Sequence, residues 1–169
     1  MTDQEISLAR PLRTTLGTEL FRYQLTRQWN RSNHPALLTV VMLNPSTADN
    51  FRDDPTIRRC MSFANAAGAD GLRVVNLFAL RSTDPAALKR ALDPIGPEND
   101  RHLLEAARSS TIMVAAWGAH AFARDRADHV FQLLCDAGMT LQCWGTTKDG
   151  HPRHPLYVHG SEALRPWRT

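Results

Sequence analysis

Asn44 is the first residue of the chain whose type and position together suggest chemistry. It ends the apolar run Leu37-Leu38-Thr39-Val40-Val41-Met42-Leu43 and is followed by Pro45. A primary amide carries both a donor and an acceptor, and the following proline restricts its backbone. At a strand end it can therefore hold a water or the polar edge of a substrate. The same residue can equally form an Asx-turn that only shapes the loop. Asn76, after Leu72-Arg73-Val74-Val75, either reads a ligand edge or caps the strand exit. His154, between Arg153 and Pro155, can polarise a carbonyl or stabilise a developing anion, or it is a surface-loop histidine. Ser46 follows Pro45 with no Asp/His pair marked to activate it, and the Trp117-Gly118 step reads as packing and tight backbone.

Other chemistries find less support. Cys143, His151, His154 and His159 match no standard zinc spacing. No G-x-G-x-x-G or Walker loop follows a strand, and no G-x-S-x-G elbow is present. The expectation is a site without metal or cofactor.

The elements that must position these residues are legible as alternating periods. Residues 21–28 alternate Phe21, Tyr23 and Leu25 with Arg22, Gln24 and Thr26, the pattern of a half-buried strand. Residues 37–43 form a continuous apolar run, as in strands buried on both faces. Residues 72–76, 111–117 and 140–144 are further strands. Asp54-Pro55 is a cap followed by proline at the first helical position, with Ile57, Cys60, Met61, Ala64 and Ala67 at helical spacing as far as Gly68. Residues 97–108 and 119–137 form two more helices, the last stopping at Gly138. The order implies an α/β fold: a three-layer αβα arrangement around a four-stranded parallel sheet of order 2-1-3-4, with helices on both faces and an N-terminal edge strand. In such a sheet the site lies beyond the carboxyl ends of the strands, where Asn44, Asn76, His120 and the 145–157 loop converge.

The 169 residues suit one domain spanning 1–169, with no repeat or linker, and 43% hydrophobic content is ordinary for a globular protein. No apolar run reaches the length of a membrane span, and the start MTDQEISLARPLR has no signal-peptide core. Cys60, Cys135 and Cys143 lack C-x-x-C spacing, which suggests reduced thiols in the cytoplasm. The net charge is +3, with 18 Arg against 2 Lys. Arginine forks suit phosphate, although the bias of a GC-rich genome accounts for the ratio equally.

Four short segments, in order, resemble the motifs of the uracil-DNA glycosylase superfamily. Leu43-Asn44-Pro45-Ser46 is similar to its first motif, nearest to the N-P-G form of the mismatch-specific branch. Val74-Val75-Asn76-Leu77 resembles the strand that ends in a base-reading Asn. Val114 to Ala121 resembles the apolar strand that closes in Gly before a helix, and His154-Pro155-Leu156 resembles the H-P-S-x-L loop. The whole chain also resembles a bacterial family with L-N-P-S-T-A-D, V-N-L-F-A-L-R and R-H-P-L-Y signatures, whose name implies no activity.

The superfamily resemblance implies hydrolysis of an N-glycosidic bond on a nucleotide flipped out of DNA, by a monomer. On that reading Asn44 places the water and His154 stabilises the departing base, while Asn76 hydrogen-bonds the base. Pro45, Ser46, Trp117 and Gly118 shape the pocket. Phe51 stacks on the base, with Phe63 the alternative aromatic but placed in a helical core pattern. Arg81, Ser82 and Arg153 contact phosphates, and Leu156 or Tyr157 fills the gap in the stack. The uracil-specific branch has Asp where Asn44 stands, and a Tyr after the Pro that excludes C5 substituents. Here Ser46 takes the Tyr position, implying a C5-modified pyrimidine, in base-excision repair or in defence against phage with modified DNA. The iron–sulfur cysteines of other branches are absent. A non-catalytic nucleic-acid-binding domain, and a hydrolase or transferase of free nucleosides or nucleotides, are the alternatives.

Overall fold

The computed structural model describes residues 12–168. The N-terminal residues in which no signal core was read lie almost wholly outside them. The seven strands among the described residues are β1 (Leu12–Gly17), β2 (Arg22–Gln28), β3 (Leu37–Met42), β4 (Gly71–Asn76), β5 (Ile112–Ala115), β6 (Leu141–Cys143) and β7 (Arg165–Pro166). They form one mixed sheet of order β1-β2-β4-β3-β5-β6-β7. The β3–β4, β3–β5 and β5–β6 pairings are parallel, whereas β1–β2, β2–β4 and β6–β7 are antiparallel.

This corrects the expected four-stranded parallel sheet of a three-layer arrangement. The strand expected at the N-terminal edge is interior, paired with β1 on one side and β4 on the other. The missed strands carry almost no pattern. In Leu12–Gly17 every residue is exposed or half-buried, and β7 is two residues long and ends in proline. Antiparallel neighbours also need no helical crossover, so nothing in the helix count announces them.

Among the described residues, four α-helices cover the sheet: α1 (Pro55–Ala66), α2 (Pro85–Arg90), α3 (Asn99–Arg108) and α4 (Arg124–Asp136). β3 is buried on both sides because its two faces serve two cores. Leu38, Val40 and Met42 pack with Ile57, Cys60 and Phe63 of α1. Val41 packs with Leu103 and Ala106 of α3 and Val130 and Leu134 of α4. The α1 N-terminus forms as its sequence suggests: Asp54 Oδ1 accepts from the Ile57 amide at 2.8 Å, and Pro55 opens the first turn. Burial pushes the Cys60 thiol up to about 12, with Asp54 adding to the shift, so this cysteine is packing rather than nucleophile. None of the helices described is long and apolar enough to cross a membrane.

One irregularity matters for the site. Leu16 pairs with Gln24, but Gly17 pairs with Arg22, so β2 carries one extra residue, Tyr23, opposite that step. Such a bulge resets the alternation of side chains. Tyr23 stacks on His102 of α3 at 4.6 Å between ring centroids, and Gln24 Nε2 meets His102 Nδ1 at 3.0 Å. Two consecutive residues thus face α3, and Arg22 turns to the α1 side, where it donates to the Ala48 carbonyl. Gly17 is required at this corner, since a Cβ there would lie 2.2 Å from the Phe21 carbonyl oxygen.

Candidate functional site

The loops leaving β3 and β4 are joined along their length. Leu77 and Phe78 amides donate to the Met42 and Leu43 carbonyls at 2.9 and 3.0 Å, and the Ser82 amide donates to the Pro45 carbonyl at 2.9 Å. Asn44 completes this seam: its Nδ2 donates to Pro45 O at 3.0 Å and to Ser82 O at 2.8 Å. With the amide nitrogen so committed, the group Asn44 can offer a ligand is its carbonyl oxygen. The Asx-turn of this loop belongs instead to Asp49, whose Oδ1 accepts from the Phe51 and Arg52 amides at 2.7 and 2.8 Å.

Where β3, β4 and β5 end, a pocket of about 230 Å³ opens. Its lining includes Asn44, Ser46, Asn76, Ser82, Trp117 and His154, residues drawn from widely separated segments. Asn76 lies at its floor, 1% exposed, and neither atom of its amide has a protein partner. It therefore does not cap the strand exit. Its backbone is held from behind: Asn99 Nδ2 donates to Asn76 O and Leu77 O, each at 3.0 Å, and Arg126 Nε donates to Leu77 O at 2.8 Å. Asp100 anchors Arg126 in turn at 2.5 Å. A buried amide held this firmly, with donor and acceptor both unmatched, is a feature that a ligand can satisfy.

His154 is half-buried. Its Nδ1 accepts from the Leu156 amide at 3.3 Å, which leaves the proton of the neutral ring on Nε2. Burial lowers its pKa, as does His120, against a smaller pull from Asp54. Burial and His151 lower that of His120 in the same way. Both rings flank Gly118, which sits at φ +78° in the left-handed region. Trp117 packs edge-on against Trp167 at 4.9 Å.

The unfolded chain binds protons first at these histidines, because their folded pKa values lie below the ordinary 6.5. The stability they contribute is complete above that value and is lost as pH falls through the lowered ones. Melting temperature should thus fall with acidification below about pH 6.5, and His120→Asn and His154→Asn should each flatten the fall, as scanning calorimetry across about pH 5 to 8 would show. An unchanged slope in both variants would contradict this assignment.

Beside the pocket, and sharing His120 and His154 with it, runs a groove of about 610 Å³ lined also by Gly118, Lys148, Arg153 and Tyr157. Tyr157, 78% exposed, and Leu156 follow Pro155 in a short 3-10 turn. Other expected positions are not brought to the pocket. Phe51 is 88% exposed and shares a separate dent with Arg81. Pro45 is buried and contributes its carbonyl to the seam rather than lining the pocket. Phe63 is core, stacked on Trp144 at 4.4 Å.

Among the polar lining residues that the sequence did not point to are Arg22, Asp54 and Thr56. Asp54 had been legible only as a helix cap, yet it is the one carboxylate among the described lining residues. His120, read as delivered by its strand but not as a site residue, lines the pocket too. Among the described residues no group of three His, Cys, Asp or Glu side chains is placed to hold a metal.

Residues 22–156 match the family described as "Protein of unknown function (DUF1643)". The chain belongs to this DUF1643 family. The matched span takes in every residue that lines the pocket and the groove except Tyr157. No curated protein and no solved structure matches the chain.

Proposed function

We propose that the protein is a monofunctional DNA glycosylase that hydrolyses the N-glycosidic bond of a flipped pyrimidine and leaves an abasic site. The observation that carries this reading is the convergence of Asn44, Asn76 and His154 on one pocket, with the amide of Asn76 unmatched at its floor. An amide with a free donor and a free acceptor complements the Watson–Crick edge of a pyrimidine. The Asn44 carbonyl oxygen holds the attacking water, and the free Oδ2 of Asp54 takes its proton as the oxygen adds to the sugar C1′. The electrons of the C1′–N bond pass to the base, whose oxygen accepts from the Nε2 proton of neutral His154. Asp54 thereby fills the part of general base that Asn44 cannot play.

The groove beside the pocket, with Lys148 and Arg153, suits a nucleic-acid backbone, and exposed Leu156 and Tyr157 suit the gap left by the flipped base. Ser46 leaves room for a C5 substituent, in keeping with a role in repair or in defence against phage with modified DNA. The three unpaired cysteines fit a reducing compartment, the cytoplasm.

Oligonucleotides carrying uracil or C5-modified pyrimidines, incubated with the protein and then cleaved at abasic sites with alkali, test the reading. Cleavage at a C5-modified base is expected. Turnover confined to plain uracil would refute the wide pocket, and no abasic site on any base would refute the enzyme. Asp54→Asn keeps an N-cap acceptor and removes the base, so it should lower turnover by about 10²-fold or more with little change in melting temperature.

A further inference from the structure

Arg22 is a guanidinium in an unusual situation. It is 2% exposed, yet no described carboxylate forms an ion pair with it. One nitrogen donates to the Ala48 carbonyl, and Nε has no partner. Arg27, on the same strand, shows the contrasting solution: its Nε meets Asp53 at 2.8 Å. Burial, with Arg81 adding to it, lowers the Arg22 pKa to about 10, while Asp54 pulls the other way. The group therefore stays charged at neutral pH. A buried charge without a counter-ion is strongly destabilising unless something else compensates it.

The residue also lines the pocket, and the bulge at Tyr23 is what turns it there. We propose that Arg22 is an anion subsite: it takes an anionic oxygen group carried by the ligand that occupies the pocket. Arg22 is buried to nearly the same degree as Asn76 in the lining of one pocket, which points to a group carried by the base itself. A backbone phosphate would remain at the solvent-facing mouth. Bidentate pairing of a guanidinium with a carboxylate or phosphate is the chemistry that repays its burial. This deepens the glycosylase reading, on which the identity of the ligand as a base rests, by restricting the substrate to pyrimidines bearing an acidic substituent.

Calorimetric titration of the whole chain with free bases tests the subsite without reading any glycosylase activity. The probes are uracil, 5-carboxyuracil and 6-carboxyuracil, with deoxyuridine and its 5′-monophosphate as a second pair. At least one carboxyuracil should bind about tenfold or more tightly than uracil. Arg22→Gln should abolish that preference, and Arg22→Lys should keep part of it. A preference confined to the 5′-monophosphate and lost in Arg22→Gln supports the subsite but assigns its anion to a nucleotide phosphate, against the flipped-base reading. Equal binding of charged and neutral probes to the wild type overturns the proposal even if Arg22→Gln fails to fold. So does a preference that survives in Arg22→Gln, or no binding of any probe. In each of those cases the abasic-site assay still decides the glycosylase reading by itself.

Discussion

Asn76→Leu should melt at a higher temperature than the wild type and bind no pyrimidine. Leucine nearly reproduces the shape of asparagine, so it fills the same volume without leaving a cavity. What changes is the polarity of two atoms that have no partner in the protein. Each unmatched buried group costs about 1–3 kcal/mol, and an isosteric apolar replacement removes that cost. A gain of about 1–2 kcal/mol is expected, read from chemical denaturation at constant m-value. Turnover should fall by about 10²-fold or more, and any ligand-induced rise in melting temperature should be lost. A variant less stable than wild type would mean that the amide serves the fold, and retained binding would mean that the ligand does not use it. Opposite changes in stability and function mark a group kept for its ligand.

Asn44→Asp is expected to damage the protein, although the resemblance alone suggests the reverse. The uracil-specific enzymes have Asp at this place, so a reader of motifs would expect a stronger base and a faster enzyme. Here the side-chain nitrogen donates to two carbonyl oxygens, Pro45 O and Ser82 O. A carboxylate would set an anionic oxygen against both, and the seam between the two site loops would open. The expected loss is about 2–4 kcal/mol, comparable to leaving a buried charge uncompensated. Turnover of the base that the wild type cleaves should fall together with melting temperature. An Asn44→Asp protein as stable as wild type and more active on uracil would show that the seam is not what holds the loop.

The parts of the site that sequence made legible are those announced by a strand ending. Asn44 and Asn76 close apolar runs that only a buried strand satisfies, so their place at the carboxyl edge followed from periodicity. His154 depended on a short motif, and its geometry depended on a single backbone bond from Leu156 that no pattern encodes. Asp54 was masked by its own helix-capping role, since one oxygen serves α1 while the other is left over. Asn99 and Arg126 hold the β4 exit from α3 and α4, a contact between distant segments with no local signature. Phe51 illustrates the opposite error, because an aromatic in a site loop invites a stacking role, yet the Asp49 turn carries it to the surface. The mixed sheet leaves little trace in the sequence for a related reason: its edge strands, β1 half-exposed throughout and β7 two residues long, bury too little to leave an alternating pattern.

The extra residue at Tyr23 gives Arg22 a dependence on counting rather than on identity. The same residues paired in unbroken alternation, with Tyr23 opposite Gly17, would carry Arg22 on the Gln24 side, toward α3, and leave this part of the pocket uncharged. Ligand preference can therefore shift by a substitution at Gly17, the corner on which the bulge depends, that alters no pocket residue. Relatives are best sorted first by whether a glycine stands at position 17, before their site residues are compared.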